Sequence, residues 1–404
     1  MSAVRASSSR AVETQSAARL AQDYEQIALV LQGGGALGAY QCGVYEALHE
    51  AGIRPHWFAG TSIGAINAAI LAGNAPEQRV GRLREFWNGI TRLGAPIAWP
   101  LEAMAHAAAW LPPSNTLATG LSAANAIGSL ALGQQGFFTP RTLSPLNFSD
   151  GSPQATSYYD TRPLKLTLER LVDFDRINHH SVRLSVGAAD IDNGNVRYFD
   201  SALEKLRAEH IMASAALPPA FPAIEIDGHA YWDGGIVSNT PLDYVLAVQP
   251  RRDSLVLQVD LWSARGTRPR TVMDVLERQK DIQFSSRTRF GTDTVAREQK
   301  LRNALGQLIE SLPGKLPENL AADLQPWLCD RVFNIVHLIY QAKHHEEQFK
   351  DYAFGPTAMH EHWRGGLTDM QRTLEHPDFF TIPTRDLGAV THDIHRAFAK
   401  AKQA

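Results

Sequence analysis

Two glycine-rich turns, each lying between an apolar run and a helical pattern, constrain the fold of this chain more than any other feature. Residues 26–32 form a short apolar run, the glycine cluster of residues 33–38 follows, and residues 39–50 have helical apolar spacing. The same order recurs in the run 56–59, the turn 60–64 and the small-residue helix 65–72. Such short runs are typical of strands buried on both faces. Two successive strand–turn–helix units predict a mainly parallel sheet covered by helices.

The alternation of strands and helices continues to about residue 262. We predict helices at 164–171 and 211–217 and strands at 182–187, 195–199, 223–226, 231–232 and 255–259, the last of which we take as the final buried strand. From residue 271 onward the pattern is mostly helical, with long amphipathic stretches at 272–311 and 320–352. The chain therefore divides into an α/β domain over residues 26–262 and a mostly helical region of unknown role over residues 263–404.

Two further segments depart from the alternating pattern. Residues 1–25 are rich in Ser, Ala, Arg and Gln and lack the apolar core of a secretory signal, so we predict a disordered leader. Residues 96–151 carry almost no charge and no clear strand pattern. We interpret them as an insert that forms a lid or an apolar wall near the functional site, with a buried helical excursion as the alternative.

Composition narrows the classes of partner. Hydrophobic residues make up 44% and charged residues 20%, as in ordinary globular proteins. The formal net charge of -3 favours neither nucleic acid nor a strong attraction to an anionic membrane, so any lipid contact is expected to be local and mainly hydrophobic. The two cysteines form no disulfide framework. These features predict a cytoplasmic protein that binds no nucleic acid, and leave peripheral membrane contact and oligomeric state open.

The first glycine turn has two chemical interpretations. Gly33, Gly35 and Gly38 match the G-x-G-x-x-G pattern of dinucleotide-binding turns. That class of site also requires an acidic residue at the end of the second strand, and residues 57–61 contain none. Exposed amides at a helix N-terminus also suit a transient oxyanion, which is the interpretation we favour.

The second glycine turn predicts a nucleophile. Gly60-x-Ser62-x-Gly64 lies between a strand and a helix, which is the context of a nucleophile elbow. The glycines allow a sharp reversal that exposes the Ser62 hydroxyl. The pattern is common by chance and also describes a small-residue helix entry, but an oxyanion-type turn one βα unit upstream favours catalysis.

A serine nucleophile requires a base, and two candidates lie late in the sheet. His229 is near the position of the usual histidine. Asp233 is the candidate base that we favour, because it ends a strand and the glycines Gly234 and Gly235 allow close approach to Ser62. A carboxylate accepts the serine proton directly when burial raises its basicity. The alternative is a turn aspartate bonded to its own backbone.

The three motifs, in this order, resemble the patatin-like phospholipase family. The connecting segments 213–218, 221–222 and 235–241 agree with the family pattern, and the similarity spans residues 26–262. The resemblance implies an α/β fold: a three-layer domain with a mainly parallel central sheet, followed here by the mostly helical region. It also implies catalysis by a serine and an aspartate, with neither a cofactor nor a metal.

Carried over to this chain, the resemblance makes Ser62 the nucleophile and Asp233 the base and then the acid. Amides of the first glycine turn (Gly33, Gly34, Gly35 and Gly38) hold the oxyanion, and the other motif glycines (Gly60, Gly64, Gly234 and Gly235) support the turns. The chain departs from the family at Leu37, where many patatins carry a basic residue. Phosphate binding at that position is therefore less supported than ester hydrolysis.

The expected substrate is a lipid carboxylic ester, cleaved in the manner of a phospholipase A or a lysophospholipase. Two alternatives stay open: an esterase acting on short hydroxyacyl esters, and a weakly active, membrane-associated scaffold. The runs 344–347 and 392–395 contain histidines and acidic residues, but their spacing matches no closed metal site, so we predict solvated side chains and no metal.

Overall fold

The computed structural model describes residues 2–92, 128, 131–286, 288–314, 316–328, 330–342 and 350–394. Its strands are β1 Gln26–Leu31, β2 Trp57–Thr61, β3 Thr139–Pro140, β4 Tyr159–Asp160, β5 Arg183–Asp190, β6 Val196–Asp200, β7 Ile224–Ile226, β8 His229–Asp233, β9 Ser254–Asp260, β10 Phe333–Ile339 and β11 Ala389–Asp393. Within these ranges, 9 strands form one sheet in the order β11-β10-β9-β1-β2-β5-β8-β7, with β6 also paired to β5.

Helices form the first described element and most of the connections between strands. The α-helices are α1 Ser2–Ala21, α2 Ala39–Glu50, α3 Ile63–Ala72, α4 Pro76–Ile90, α5 Pro153–Thr156, α6 Arg162–Leu171, α7 Phe174–Asn178, α8 Ala208–Ser214, α9 Leu242–Ala247, α10 Val272–Phe284, α11 Thr288–Ser311, α12 Glu318–Leu324 and α13 Pro356–Leu374. Short 3-10 turns lie at Gly35–Gly38, Pro145–Asn147, Gly234–Ile236, Gln325–Trp327 and Pro377–Phe380. None of the described helices has an apolar stretch long enough to cross a bilayer.

The sheet is the middle of three layers. Side chains along β1 alternate between its faces. Ile27, Leu29 and Leu31 join the large core formed with α2, α3, α4 and α13, whereas Ala28 and Val30 face a smaller core that includes α9 and Val295 of α11. The predicted three-layer α/β architecture is thus confirmed.

The strand register brings the ends of three strands together. β1, β2 and β5 are parallel, so the glycine turn after β1 and Ser62 after β2 lie at the same edge of the sheet. β8 runs antiparallel to β5, with Asp233 opposite Ala188, while Gly187 lies opposite Thr61 of β2. Asp233 therefore ends its strand beside Ser62, although 170 positions separate them in the sequence.

The sheet does not end at β9, which corrects one prediction. β10 pairs with β9 and β11 with β10, all parallel, so residues beyond 262 extend the sheet. The helix predicted across 320–352 is therefore wrong at Phe333–Ile339. Two polar residues interrupt the apolar pattern of this strand, so the sequence did not predict it. Asn334 Nδ2 donates to the Tyr24 hydroxyl and to the Phe379 carbonyl, and His337 Nε2 lies 2.7 Å from Asp260 Oδ2.

The N-terminal segment is also more ordered than predicted. Instead of a disordered leader, α1 packs against the turn Pro377–Phe380. Ala17, Ala18 and Ala21 are buried there, and small side chains allow this close approach. Alanine also has the highest intrinsic helix propensity. A composition that looks low in hydrophobicity is thus sufficient for a docked helix.

Candidate active site

Ser62 occupies a strained elbow between β2 and α3. Its backbone has φ 57 and ψ -127, a conformation that non-glycine residues rarely adopt and that is typical of nucleophile elbows. The amide of Ser62 donates to the Ser214 carbonyl and to Ser214 Oγ, both at 3.1 Å. Ser214 Oγ in turn donates to the Gly187 carbonyl at 2.6 Å. These contacts hold the elbow and leave the Ser62 side chain in the lining of a cleft.

The glycines beside Ser62 are required by packing of the elbow. A Cβ atom at Gly60 would overlap the backbone of Gly64, and one at Gly64 would overlap the Leu31 carbonyl group on β1. The turn can therefore reverse tightly only because neither position has a side chain.

Asp233 is a buried carboxyl group that lines the same cleft as Ser62. It is 2% exposed, and it accepts a hydrogen bond from the Gly235 amide at 2.7 Å. Burial raises the pKa of Asp233 to about 7, although the neighbouring Ser62 hydroxyl and the Gly235 amide oppose that rise. The structure thus brings the two predicted side chains together and supplies a carboxylate more basic than usual. The Gly235 contact is the backbone bond expected of a turn aspartate, which was the alternative interpretation of this residue.

Gly234 and Gly235 allow the chain to turn away beneath the carboxyl group. A Cβ atom at Gly234 would overlap the Gly187 carbonyl, and one at Gly235 would lie 3.0 Å from Asp233 Oδ1.

His229, the other candidate base, lies at the opposite end of β8 with an exposed side chain 3.9 Å from Asp192. Among the described residues that line the cleft there is no histidine.

The first glycine turn has fewer amides available than predicted. The Gly33 amide donates to the Asn239 carbonyl at 3.1 Å, so it is not an oxyanion donor in this conformation. Gly38 packs against Ile63 and Trp87 instead of facing the cleft. Gly34 and Gly35 line the cleft, and within the described ranges their amides have no acceptor. The candidate oxyanion donors are thereby narrowed to Gly34 and Gly35.

Asn239 fixes this turn and was not singled out from the sequence. Its Nδ2 donates to the Gly33 carbonyl at 3.0 Å and to the Phe284 carbonyl at 2.9 Å. It lies in the segment 235–241, so its proximity to Asp233 in the chain was the available signal. Asn239 therefore links the first glycine turn, the segment that follows Asp233, and α10.

We expect Gly35→Ala to disable this turn. Gly35 has φ 55, and a Cβ atom there would overlap the Asp351 carbonyl oxygen, which accepts a hydrogen bond from the Ala36 amide at 2.9 Å. The turn must move, and losing one oxyanion donor costs about 10²–10³-fold in turnover. Turnover of a soluble ester measures the effect. Gly81→Ala is the matched control, because a Cβ atom at Gly81 meets open space. Equal activity of the two variants would contradict the assignment of Gly35.

The cleft above Ser62 is apolar and aromatic. It contains about 1000 Å³ of atom-free space, part of it open to solvent. One wall is a cluster of rings in mutual contact, formed by Phe137, Phe138, Tyr159, Phe221 and Phe354. Phe137 and Phe138 belong to the predicted insert 96–151, whose residues 96–127, 129 and 130 lie outside the described ranges. Of the described residues of the insert, Phe137 and Phe138 therefore contribute to this apolar wall.

Residues beyond 262 also line the cleft. Lys280 and Phe284 come from α10, and Asp351, Tyr352 and Phe354 precede α13. Lys280 Nζ lies 3.0 Å from both carboxylate oxygens of Asp351 and 4.6 Å from the centre of the Tyr352 ring. No sequence pattern predicted these contacts, because they join segments about 70 residues apart.

A second serine–aspartate pair, Ser286 and Asp260, must be compared with Ser62 and Asp233 as a candidate nucleophile and base. Ser286 Oγ donates to Asp260 Oδ2, and His337 Nε2 lies 2.7 Å from the same oxygen. The aspartate therefore separates the serine from the histidine, whereas a triad places the histidine between them. Ser286 also lacks the elbow backbone of Ser62. Of the two histidine runs noted in the sequence, 344–347 lies outside the described residues. The other is wrongly predicted as solvated, because His392 belongs to β11 and stacks on Phe379, and Ile394 is buried.

Comparisons with known proteins match this chain to one family. A family model described as patatin-like phospholipase matches residues 29–246, and one described as patatin phospholipase matches residues 282–386. A lysophospholipase of Aspergillus terreus is 49% identical over 61 residues, which is 15% of this chain and 4% of that protein. A triacylglycerol lipase of Schizosaccharomyces pombe is 42% identical over 62 residues, 15% of this chain and 13% of that protein. The chain thus spans a small part of the length of these curated relatives.

Among solved structures, VipD from Legionella pneumophila aligns with 94% of this chain and 74% of its own, with a TM-score of 0.39 and 16% identity.

Proposed function

The chain belongs to the patatin-like phospholipase family, and we propose that it is a serine acyl hydrolase that cleaves lipid carboxylic esters. In this proposal Ser62 is the nucleophile, Asp233 is the base and then the acid, and the Gly34 and Gly35 amides bind the oxyanion. The observation that carries it is the placement of Ser62, on a strained elbow, in the same apolar cleft as a buried carboxyl group of raised pKa.

The acylation step uses each of these groups once. Ser62 Oγ attacks the ester carbonyl carbon while its proton moves to the Asp233 carboxylate. Negative charge develops on the carbonyl oxygen and is stabilised by the free amides of the glycine turn. The ester C–O bond then breaks, Asp233 returns the proton to the departing alcohol oxygen, and the acyl group stays on Ser62.

Deacylation repeats the sequence with water. Asp233, again ionised, removes a proton from a water molecule that attacks the acyl carbon. Collapse of the second tetrahedral intermediate releases the carboxylic acid and returns the proton to Ser62 Oγ. A histidine is dispensable in this scheme because Asp233 titrates near neutral pH, where a base of matched strength is most effective.

The cleft supports a lipid acyl chain as the group bound beside Ser62. Its ring cluster offers apolar surface, and burial of a methylene group contributes about 0.8 kcal/mol. Leu37, at the position where many patatins carry a basic residue, is fully buried and supplies no charge to the cleft. The names of the two relatives, a lysophospholipase and a triacylglycerol lipase, also favour a lipid ester.

A panel of esters tests the proposal. Wild-type protein should hydrolyse long-chain lipids, such as lysophosphatidylcholine, phosphatidylcholine and a triacylglycerol, with a higher kcat/KM than a short hydroxyacyl ester. The reverse order would favour the short-ester alternative. Absence of turnover on every ester, together with no labelling by a fluorophosphonate, would favour the scaffold alternative.

We expect kcat/KM to rise with pH through about 7. Asp233 must be ionised to accept the serine proton, and its pKa in the free protein is about 7, so activity is low where the carboxyl group is protonated. The rate of fluorophosphonate labelling should follow the same curve, since it requires the same ionisation. A profile that is flat between about pH 5 and about pH 9 would contradict Asp233 as the base.

A further inference from the structure

α10 packs against the rest of the protein through its charged face. Glu277 and Asp281 bind Lys350, with Nζ–oxygen distances of 3.0 and 2.7 Å, and Lys350 is only 4% exposed. Arg278 donates to the Ser263 carbonyl at 3.2 Å, and Lys280 pairs with Asp351. The polar side of this helix is therefore committed to contacts within the protein.

The opposite face of α10 presents apolar side chains to solvent. Val272, Val275, Leu276 and Ile282 are 74%, 51%, 46% and 57% exposed. At 3.6 residues per turn these positions lie on one side of the helix, and no residue of α10 is buried. Surface helices normally turn their apolar face to the core, so this arrangement is the reverse of the usual one. Exposed apolar faces of this kind mark an interaction surface.

The segment before α10 adds positive charge. Residues 263–270 contain Arg265, Arg268 and Arg270 and no acidic residue, and residues 264–270 are all exposed. The whole chain has a net charge of -3, so this concentration of arginines is local. These arginines precede α10 in the chain and line a cavity with Asp274, Glu277 and Asp281. An apolar helix face with exposed arginines next to it in the chain is the combination that binds the interface of an anionic bilayer.

We propose that the outer face of α10 and the arginines of residues 265–270 dock the protein on an anionic lipid bilayer. α10 also contributes Lys280 and Phe284 to the cleft, and a helix is about 10 Å across, so docking places the cleft beside the bilayer surface. A symmetric dimer through this face is disfavoured because it would bring two arginine segments together. The proposal rests on the proposed function for its choice of a lipid partner.

Sedimentation of the full chain with vesicles tests docking without turnover. The Ser62→Ala protein should bind vesicles of equal phosphatidylcholine and phosphatidylglycerol more tightly than vesicles of phosphatidylcholine alone. Adding Leu276→Gln and Ile282→Gln should weaken binding to both by about ten-fold or more. Adding Arg265→Gln, Arg268→Gln and Arg270→Gln should remove the preference for anionic vesicles.

A matched control separates this surface from general hydrophobicity. Leu166 and Leu203 are 68% and 77% exposed, on α6 and in the turn after β6, so Leu166→Gln with Leu203→Gln removes similar apolar area elsewhere. That control should bind vesicles like the parent protein. All changed side chains are exposed, so thermal unfolding midpoints should not change.

Turnover distinguishes failure of docking from failure of the proposed function. In the protein with Ser62 intact, the α10 variant should hydrolyse a short soluble ester normally and a vesicle lipid about ten-fold more slowly. If wild-type protein hydrolyses no ester, the proposed function is wrong while the vesicle result stands. Unchanged vesicle binding by the α10 variant overturns docking, as does a change in self-association without a change in vesicle binding.

Discussion

Replacing Ser62 with alanine should lower ester turnover by about 10⁴- to 10⁶-fold, the range seen when a serine nucleophile is removed. The variant loses the attacking oxygen but keeps the cleft, Asp233 and the glycine turn. Residual activity would come from binding and oxyanion stabilisation alone. A fluorophosphonate should label the wild-type protein once, with the adduct on Ser62 by mass spectrometry, and should not label the variant.

Ser286→Ala provides the matched control for the nucleophile. Ser286 is hydrogen-bonded to a buried aspartate, Asp260, with His337 beside it. It lacks the positive-φ elbow, so its removal should leave turnover and labelling unchanged. An adduct on Ser286, or retention of most activity by Ser62→Ala, would overturn the proposed mechanism.

Replacing Asp233 with asparagine should cost turnover and increase stability. The amide cannot accept the serine proton, so we expect a loss of about 10³-fold or more, at the upper part of the range for general-base catalysis. Asparagine keeps an oxygen for the Gly235 amide and a similar volume. Turnover of a soluble ester and fluorophosphonate labelling should fall together.

The stability gain follows from the raised pKa of Asp233. The pKa is about 7 in the folded protein, where burial raises it, against 3.8 for the unperturbed group. The folded state therefore binds the proton more tightly than the unfolded state, and stability falls as pH rises from about 4 to about 7. Asparagine removes this penalty, which amounts to a few kcal/mol. The difference in unfolding midpoint should be absent near pH 3, grow through this window and stay constant above it.

Asp200→Asn is the control variant for which we expect the opposite change in stability. Asp200 is fully buried; burial raises its pKa, but hydrogen bonds from Arg183, the Ala202 amide and Tyr244 outweigh it and lower the pKa overall. Its ionised form stabilises the folded state above the unfolded pKa, and that contribution is lost as pH falls through the folded pKa. Asp200→Asn should therefore lower the unfolding midpoint at neutral pH. A lower midpoint for Asp233→Asn as well would contradict a buried carboxylate at position 233.

Local patterns predicted the elements that place the candidate site. The apolar runs before Gly33 and Ser62 indicated parallel strands, and parallel strands of one sheet end at the same edge. Glycine spacing indicated the tight turns, since overlap with neighbouring backbone excludes a side chain at Gly60 and Gly64. Asp233 was identified by its position at a strand end, and the antiparallel pairing of β8 with β5 explains why it reaches Ser62.

The spacing of the glycines did not predict which backbone amides are available to bind the oxyanion. The cluster of residues 33–38 offered equivalent amides in the sequence. In the folded chain the Gly33 amide is used by Asn239, and Gly38 packs under Ile63. Both contacts come from segments distant in sequence, so the pattern around the glycines carries no record of them.

The sequence by itself determined the βα framework, the serine elbow and the family, because each depends on residues close together in the chain. Tertiary structure alone decided that β10 extends the sheet, that Lys280 and Phe354 line the cleft, and that α10 turns its apolar side outward. Amphipathic periodicity shows that a helix has two faces but not which face packs inward. Here ion pairs with Lys350 and Asp351, about 70 residues away, settled that choice.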